Sequence, residues 1–252
     1  MKNEKETKQF VKDRYASIAS NEGSCCSCCN CNTDIVEQAK SMGYSEAEIR
    51  NIPEGSVMGL GCGNPTALAE LKAGETVLDL GSGGGVDVFL AAQKVGETGN
   101  VIGVDMTSEM LEKARVNAKL GSYKNVEFRA GEIENLPVED GSIDVVISNC
   151  VVNLSPDKLA TYKEVFRVLK PNGRVLISDI VTEGECPEDV GQSFDAWAKC
   201  IAGAVETQEY LDTIAKAGFR DVTIVSEHPF RDPGMDDRLA GKLISIQVQA
   251  YK

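Results

Sequence analysis

The chain has few positive charges, one histidine and one tryptophan. Its 252 residues include 26 lysines and arginines against 39 acidic residues, giving a formal net charge of −13. Proteins that bind nucleic acid or anionic membranes neutralise phosphates with clustered lysine and arginine side chains, and the sequence has no such cluster. We therefore expect neither partner. The single histidine, His228, precedes Pro229, and we expect it to be a turn residue without a catalytic role.

The sequence also lacks a long apolar run. No segment approaches the roughly 18 uninterrupted apolar residues that cross a membrane, and the charged start of the chain is not followed by an apolar stretch. We expect a soluble, cytoplasmic protein. A chain of 252 residues, 42% of them hydrophobic, is long enough for one α/β domain with an appendage and too short for two full domains.

From Thr76 onward, short β-branched runs alternate with helical stretches, which is typical of βαβ units and a parallel sheet. The predicted strands are 76–80, 101–104, 126–129, 143–148, 174–180, 222–226 and 242–250. The predicted helices are 5–19, 34–42, 86–95, 108–120, 156–169 and 207–217. The pattern predicts an α/β fold with a doubly wound, mostly parallel seven-stranded sheet. The last strand is expected to be antiparallel, and the N-terminal extension helical.

A glycine-rich loop containing Gly81, Gly83 and Gly85 follows the first strand and opens a helix. Glycines at this position let the backbone turn tightly and approach a ligand at the helix N-terminus, so we assign Gly81, Ser82 and Gly83 to ligand contact. The dinucleotide fingerprint requires a third glycine where this chain has Val86, and no phosphate-binding lysine follows as in a P-loop. The loop predicts a nucleotide-like ligand of another kind.

Two acidic residues indicate which ligand this is. Asp79, just before the glycines, would repel a pyrophosphate but can balance a cationic amino-acid ammonium group, which S-adenosylmethionine carries. Asp105 closes the second strand, 24 residues after Gly81, where an acidic side chain can accept both ribose hydroxyls. A carboxylate at the end of a buried strand is costly without such a partner. The pattern predicts S-adenosylmethionine as the cofactor.

Four further residues near the strand ends are predicted to contact the cofactor. Glu132 is placed to accept from the adenine amino group, and a solvated surface charge is the alternative interpretation. We also assign Met106 and Ile133 to the cofactor site. Asn149, after the fourth strand, is expected to lie near the sulfonium.

Nine cysteines are too many to be accidents of packing, and an odd number does not suit a disulfide framework. Cys150 follows the fourth strand and so faces the crevice at the carboxyl ends of the strands, where Cys62 and Cys200 can join it from loops. Three thiolates suit a soft centre, and zinc and trivalent arsenic both fit. Alternatively, each cysteine is a small buried hydrophobic side chain.

Five segments closely resemble arsenite S-adenosylmethionine methyltransferases, in order along the chain from about Tyr44 to Gly218. They are 59–65, 77–85, 104–107, 131–134 and 147–156. Other small-molecule methyltransferases share the glycine loop but not the Gly-Cys-Gly-Asn-Pro and Ser-Asn-Cys-Val motifs, so these two carry the specificity. The resemblance implies a class I methyltransferase fold in which Cys62, Cys150 and Cys200 are the arsenic-binding thiols.

The resemblance also implies the activity. The expected reaction moves methyl groups from S-adenosylmethionine to thiol-bound trivalent arsenic, with arsenite or thiol-bound arsenicals as substrate and a thiol reductant such as thioredoxin or glutathione. Two alternatives remain open from the residues. One is a methyltransferase of a small organic acceptor such as a quinone precursor, and the other is a metalloid-binding protein without turnover.

Five further cysteines fall within seven residues near the N-terminus, where the resembling family usually has one or two. They are Cys25, Cys26, Cys28, Cys29 and Cys31. A metalloid entry point, a resolving thiol, a zinc site and a disordered reactive tract are all compatible with this cluster. We expect a redox role, with one of the five pairing with Cys62 during turnover. Cys186 has no recognised counterpart in the family.

We expect the chain to divide into three parts. Residues 1–64 would form the helical extension with the cysteine cluster and the arsenic-binding loop. Residues 65–185 would form the α/β core that binds the cofactor. Residues 186–252 would complete the sheet and the arsenic site.

Overall fold

The computed structural model describes residues 4–20, 35–184, 200–231 and 237–252. The helices are α1 (Glu4–Ser20), α2 (Ile35–Ser41), α3 (Glu46–Arg50), α4 (Pro65–Leu68), α5 (Val86–Val95), α6 (Ser108–Leu120), α7 (Lys158–Val168) and α8 (Thr207–Lys216). The strands are β1 (Thr76–Leu80), β2 (Asn100–Asp105), β3 (Val126–Ala130), β4 (Ile143–Asn149), β5 (Leu169–Thr182), β6 (Arg220–Pro229) and β7 (Leu243–Tyr251). Within these ranges, no helix is both long and apolar enough to cross a membrane.

The seven strands form one sheet in the order β3-β2-β1-β4-β5-β7-β6. Strands β1 to β5 are parallel, and β7 is antiparallel to both of its neighbours, β5 and β6. The predicted mostly parallel, seven-stranded sheet with an antiparallel last strand is therefore confirmed. The order in which successive strands join the sheet reverses between β1 and β4, and such a switch point is where doubly wound sheets bind ligands.

Both faces of the sheet are covered, which explains the continuous apolar runs of its central strands. Successive side chains of a strand point to opposite faces, so Val77 and Leu78 of β1 enter different core clusters. Val77 packs in a cluster with residues of α5 and α6, such as Phe89. Leu78 packs in a cluster with residues of α7 and α8, such as Tyr162 and Tyr210.

Three predicted elements, 76–80, 86–95 and 108–120, have the predicted bounds, and others differ at their ends. Helix α7 begins at Lys158 instead of residue 156 because Asp157 is its N-cap, and the Asp157 carboxylate accepts from the Ala160 N–H at 2.9 Å. Strand β5 begins at Leu169 instead of residue 174, since Leu169 pairs with Ile143 of β4. The division of the chain at residues 64 and 185 stays a prediction.

The expectation that His228 lies in a turn is wrong. His228 lies within β6, in register with Ser245 of β7, and Pro229 is in register with Ile244. A proline fits here because β6 ends the strand order, so its missing N–H can face away from the sheet. His228 is exposed, and its Nε2 lies 3.1 Å from Oγ of Ser226.

Candidate active site

A cavity of about 1080 Å³ runs along the carboxyl ends of the parallel strands, and α1 contributes to its wall. The cavity is large enough for a nucleoside cofactor and a second small ligand. All of the site residues predicted from the sequence line this one cavity. They are Cys62, Asp79, Gly81, Ser82, Gly83, Asp105, Met106, Glu132, Ile133, Asn149, Cys150 and Cys200.

The glycine loop has a backbone that requires glycine. Gly81, Gly83 and Gly85 have φ values of +64°, +49° and +99°, in the left-handed region that side chains disfavour. A Cβ on Gly81 would lie 2.3 Å from Val151, whereas the corresponding position on Gly83 is open. The loop therefore exposes its backbone to the cavity at Gly83, just before the N-terminus of α5, which suits close approach of a ligand.

Ser82 lines the cavity between the glycine loop and the neighbouring strand β2. Its hydroxyl is buried without a hydrogen-bond partner among the described residues, and it faces the backbone of Gly103 in β2. Its contact with the cofactor stays a prediction.

Asp79 and Asp105 line the cofactor end of the cavity. Asp79 is buried, and burial together with the charges of Asp87 and Asp105 raises its pKa well above the ordinary value. Burial also raises the pKa of Asp105, although its carboxylate accepts from the Thr107 N–H at 2.8 Å and the Gly83 N–H at 3.0 Å. Because the charges of Asp87 and Asp105 disfavour a charged Asp79, a cationic ligand would relieve the repulsion. The donor set thus fits S-adenosylmethionine, which carries an ammonium and a sulfonium group.

Asn149 joins the end of β4 to the loop that carries Cys62. Its Oδ1 accepts from the Cys62 N–H at 2.9 Å, and its Nδ2 donates to the Gly63 carbonyl at 2.7 Å and to the Tyr44 hydroxyl at 2.9 Å. The Tyr44 hydroxyl lies 2.9 Å from Oδ1 of Asp87, to which it donates. Burial raises the pKa of Asp87 to about 6, against the hydrogen bonds from Tyr44 and Asn149.

The sequence analysis did not identify Tyr44 and Asp87 as members of the site. Asp87 lies in the first turn of α5, where acidic residues are common because they interact favourably with the helix dipole. Its position in the sequence therefore did not indicate a role in the site.

Glu132 is half-exposed at the cavity edge and bound to α1. Its Oε2 lies 2.7 Å from Nζ of Lys8, which also lies 3.1 Å from Glu134. Ile133, next to it, is buried and lines the cavity. An adenine amino group bound by Glu132 would share that carboxylate with Lys8.

Cys62, Cys150 and Cys200 are separated in sequence but come together at the other end of the cavity. All three are buried and free, and they belong to one side-chain cluster. The Cys200 thiol donates to the Cys150 carbonyl at 2.6 Å. Hydrogen bonding to Cys200 and Cys62, together with burial, raises the pKa of Cys150 well above the ordinary value. Burial also raises the pKa of Cys62, so both of these cysteines favour the neutral thiol.

Two of these cysteines have unusual backbone conformations. Cys150 and Cys200 have φ values of +62° and +63°, a region that non-glycine residues rarely occupy. Such conformations cost on the order of 1–3 kcal/mol each and persist only where the surroundings hold them. Strain at two residues of one side-chain cluster is typical of functional sites.

The carboxylate of Asp179 lies beside the thiols and was not predicted from the sequence. One of its oxygens and the Sγ atoms of Cys62 and Cys150 all lie within 4.8 Å of one another. Burial raises the pKa of Asp179 to about 7, against the charge of Lys158 and a hydrogen bond from Tyr210. In the sequence Asp179 is a lone acid within an apolar strand, and no local pattern relates it to the cysteines.

Some predicted features lie outside the described residues. They are the cluster Cys25, Cys26, Cys28, Cys29 and Cys31, and also Cys186 and the stretch 197–199 before Cys200. Their roles stay predictions.

Comparisons with known proteins show the family of the chain. Residues 71–218 match the family model described as a methyltransferase domain. The chain is 44% identical to an arsenite methyltransferase of Halobacterium salinarum, over 98% of this chain and 67% of that protein. It is 39% identical to an arsenite methyltransferase of Aquipseudomonas alcaligenes, over 76% of this chain and 56% of that protein.

Among solved structures, the fold is similar to an arsenic(III) S-adenosylmethionine methyltransferase from Chlamydomonas reinhardtii. The TM-score is 0.69 and the identity 34%, over 87% of this chain and 74% of that chain. The matched part of the chain covers between about half and three quarters of the length of these relatives. The chain belongs to the arsenite methyltransferase family and has its S-adenosylmethionine-dependent methyltransferase domain.

Proposed function

We propose that the protein transfers a methyl group from S-adenosylmethionine to trivalent arsenic held by Cys62, Cys150 and Cys200. The observation that carries this proposal is the convergence of three buried thiols in the same cavity as the glycine loop. The family relatives named above are arsenite methyltransferases, which supports the same activity.

The thiols bind the substrate by exchange. Each thiol replaces one hydroxyl group of arsenous acid, so that an arsenic–sulfur bond forms and a water molecule leaves. Three exchanges give a neutral complex, which suits a buried site better than a charged one because an unpaired buried charge is costly. Arsenic then keeps a lone pair that can attack a methyl group.

The cofactor supplies an electrophilic methyl group when it is bound. In our proposal Asp79 balances its ammonium group, Asp105 accepts from its ribose, and Gly81, Ser82 and Gly83 contact it through the main chain. Met106, Glu132 and Ile133 would surround the adenine. Asn149 would hold the Cys62 loop, and with it the arsenic, close to the sulfonium.

Catalysis by this site is mainly positioning. Holding the two reactants aligned in one cavity makes a bimolecular step effectively unimolecular. Good alignment of this kind lowers the activation barrier by about 7 to 11 kcal/mol. No general base is needed, since the attacking lone pair carries no proton. Tyr44, Asp87 and the loop contacts of Asn149 would fix the geometry.

Repeated turnover needs two electrons, because the attack formally oxidises arsenic from the trivalent to the pentavalent state. A pair of cysteine thiols can supply them by forming a disulfide, which thioredoxin or glutathione would reopen. Cys62 and one residue of the 25–31 cluster are our candidates for that pair. This part of the proposal rests on the sequence.

The test is arsenic speciation after incubation with arsenite, S-adenosylmethionine and glutathione. Methylated arsenic and a matching amount of S-adenosylhomocysteine are the expected products. Stoichiometric arsenic binding without S-adenosylhomocysteine would instead indicate a binding protein. Methylation of a quinone precursor but not of arsenite would indicate a small organic acceptor.

Serine variants test the assigned thiols. Cys62→Ser, Cys150→Ser and Cys200→Ser should each reduce the rate on arsenite by about tenfold or more while S-adenosylmethionine affinity is kept, since a hydroxyl is a poor ligand for a soft centre. Cys150 and Cys200 should be needed on methylated arsenic also, whereas Cys62 should be needed only for the first methylation. Wild-type rates in any variant would remove that cysteine from the site.

A further inference from the structure

Asp179 lies in β5 with its side chain fully buried behind the thiols. A carboxylate oxygen, Cys62 Sγ and Cys150 Sγ lie within 4.8 Å of one another, so an arsenic atom bound to both sulfurs would have this carboxylate as a near neighbour. Burying a carboxylate is costly, and an apolar residue would fill this strand position more stably. Because an acid is kept at this position despite that cost, we expect Asp179 to have a function beside the thiols.

The carboxylate is held by donors from several parts of the fold. Its Oδ2 accepts from the Tyr210 hydroxyl at 2.9 Å and from the Asn153 N–H at 3.0 Å, and its Oδ1 accepts from the Ile180 N–H at 3.0 Å. Burial disfavours the charged form of the Asp179 carboxyl, whereas these hydrogen bonds and the nearby charge of Lys158 favour it. These contacts fix its position, so it needs no rearrangement during a reaction.

The strand order arranges the acidic groups across the crevice. Asp105 ends β2 and Asp79 lies near the end of β1, on the cofactor side, and Cys150 follows β4. Asp179 lies on β5, on the far side of Cys150. One carboxylate therefore stands on the arsenic side, and the others stand on the side expected to hold the sulfonium.

The proposed methyl transfer moves a positive charge from the cofactor side of the crevice to the arsenic side. The arsenic lone pair forms the arsenic–carbon bond, and the sulfonium carbon–sulfur bond breaks with its electron pair left on sulfur. Sulfur becomes neutral and arsenic becomes cationic. Arsenic is oxidised by two electrons, the methyl group is transferred as a cation, and no proton moves.

We propose that the Asp179 carboxylate stabilises the positive charge that develops on arsenic during methyl transfer. A fixed charge aimed at the place where the opposite charge develops stabilises the transition state more than the bound substrate, so it lowers the barrier without raising substrate affinity equally. Neutral, thiol-bound trivalent arsenic gains little from it. The inference rests on the proposed arsenic methylation and adds an electrostatic role to the same site.

The test compares Asp179→Asn with the wild-type protein, with arsenite as the probe. Single-turnover methyl transfer is measured by rapid quench after loading with arsenite and glutathione, and arsenite and cofactor affinities by calorimetry. We expect transfer to slow about 10- to 100-fold, the scale for losing one preorganised charge interaction, with both affinities within about threefold of wild type. Asp179→Glu, which keeps the charge, should recover part of the rate.

Asp144→Asn is the matched control. Asp144 is also an acid of the sheet, but it lies at the opposite end of β4 and pairs with Lys170 and the Thr76 N–H. Its substitution should leave the single-turnover rate unchanged. Melting temperatures of both variants separate folding effects from effects on the rate, and Asp179→Ser replaces the asparagine variant if that variant does not fold.

The outcomes distinguish failure of the methylation proposal from failure of the proposed role of Asp179. If the wild-type protein forms no methylated arsenic, the methylation proposal fails and the role of Asp179 fails with it. If the wild type methylates arsenite and Asp179→Asn matches its single-turnover rate within about twofold, only the role of Asp179 fails. A parallel loss of arsenite affinity and rate would show that Asp179 merely holds the thiols in place.

Discussion

At the residue scale, Asp105 combines two tasks. Its carboxylate ties the glycine loop to the end of β2 through the Gly83 and Thr107 N–H groups, and it is our proposed acceptor for the cofactor ribose. We predict that Asp105→Ala weakens S-adenosylmethionine binding by about 1 to 3 kcal/mol, since a charged hydrogen-bond acceptor is lost. Isothermal titration calorimetry measures the change.

Glu112→Ala is the control for that prediction. Glu112 is an exposed acid on α6, so its removal changes net charge by the same amount without touching the loop. Its affinity for S-adenosylmethionine should equal that of the wild-type protein. An Asp105→Ala protein with wild-type affinity would remove Asp105 from the ribose site.

At the element scale, the antiparallel strand β7 supports the loop that carries Cys62. The Ser245 hydroxyl donates to the Cys62 carbonyl at 2.8 Å, and Nε2 of Gln247 donates to the Asn64 carbonyl at 2.9 Å. Asn149 binds the same loop from β4. Strands from two parts of the chain thus hold one thiol in the cavity.

We predict that Ser245→Ala weakens arsenite binding about fivefold. The buried hydrogen bond contributes about 1 kcal/mol, and without it the loop occupies its binding conformation for a smaller fraction of the time. Affinity for S-adenosylmethionine should not change, because the Ser245 side chain bonds to the Cys62 loop on the thiol side of the cavity. Calorimetry with each ligand tests both statements.

Thr223→Ala in β6, which also removes a hydroxyl group from a strand, serves as the control. Thr223 is exposed on the neighbouring strand, so neither affinity should change. If Ser245→Ala and Thr223→Ala bind arsenite equally well, the support of the Cys62 loop by β7 is energetically unimportant.

At the scale of the whole molecule, three acidic residues with raised pKa values line the cavity. Asp79, Asp87 and Asp105 are all buried or nearly so, and their pKa values are all raised. In the pH range between the unfolded and folded pKa values, the folded protein holds protons that the unfolded chain has released. Stability therefore falls as the pH rises through that range, and a cationic ligand opposes the loss.

Asp87 defines the range, from about 4 in the unfolded chain to about 6 in the folded protein. A difference of about 2 pKa units corresponds to about 3 kcal/mol, and roughly half of this falls between pH 5 and pH 7.5. We predict that Asp87→Asn, measured against the wild type, gains stability over that interval. Urea unfolding of the cofactor-free proteins at both pH values measures the gain.

The exposed acid Glu112 again provides the comparison. Glu112→Gln should shift stability by the same small amount at both pH values, because an exposed carboxylate has nearly the same environment before and after folding. A stability difference between Asp87→Asn and the wild type that does not vary with pH would contradict the prediction.

Much of the fold and of the cofactor site was predictable from local sequence signals. Strand periodicity, the glycines before α5 and the acids near the ends of β1 and β2 are encoded within a few residues, and Asp79, Gly83 and Asp105 all line the cavity as expected. Helix α7 and strand β6 were misjudged at their ends, where a cap at Asp157 and pairing of β6 with β7 decided the boundary.

The amino-acid sequence by itself determined the α/β class, the cofactor loop and, through the family motifs, the three thiols. Only the tertiary structure placed Asp179 and Ser245 beside them, and Tyr210 against Asp179. Such residues carry no local signal, because their positions depend on the strand order β1-β4-β5-β7 and on loops that cross the strand ends. Spacing along the chain encodes a turn or a cap, whereas contacts between distant strands arise only when the whole sheet packs.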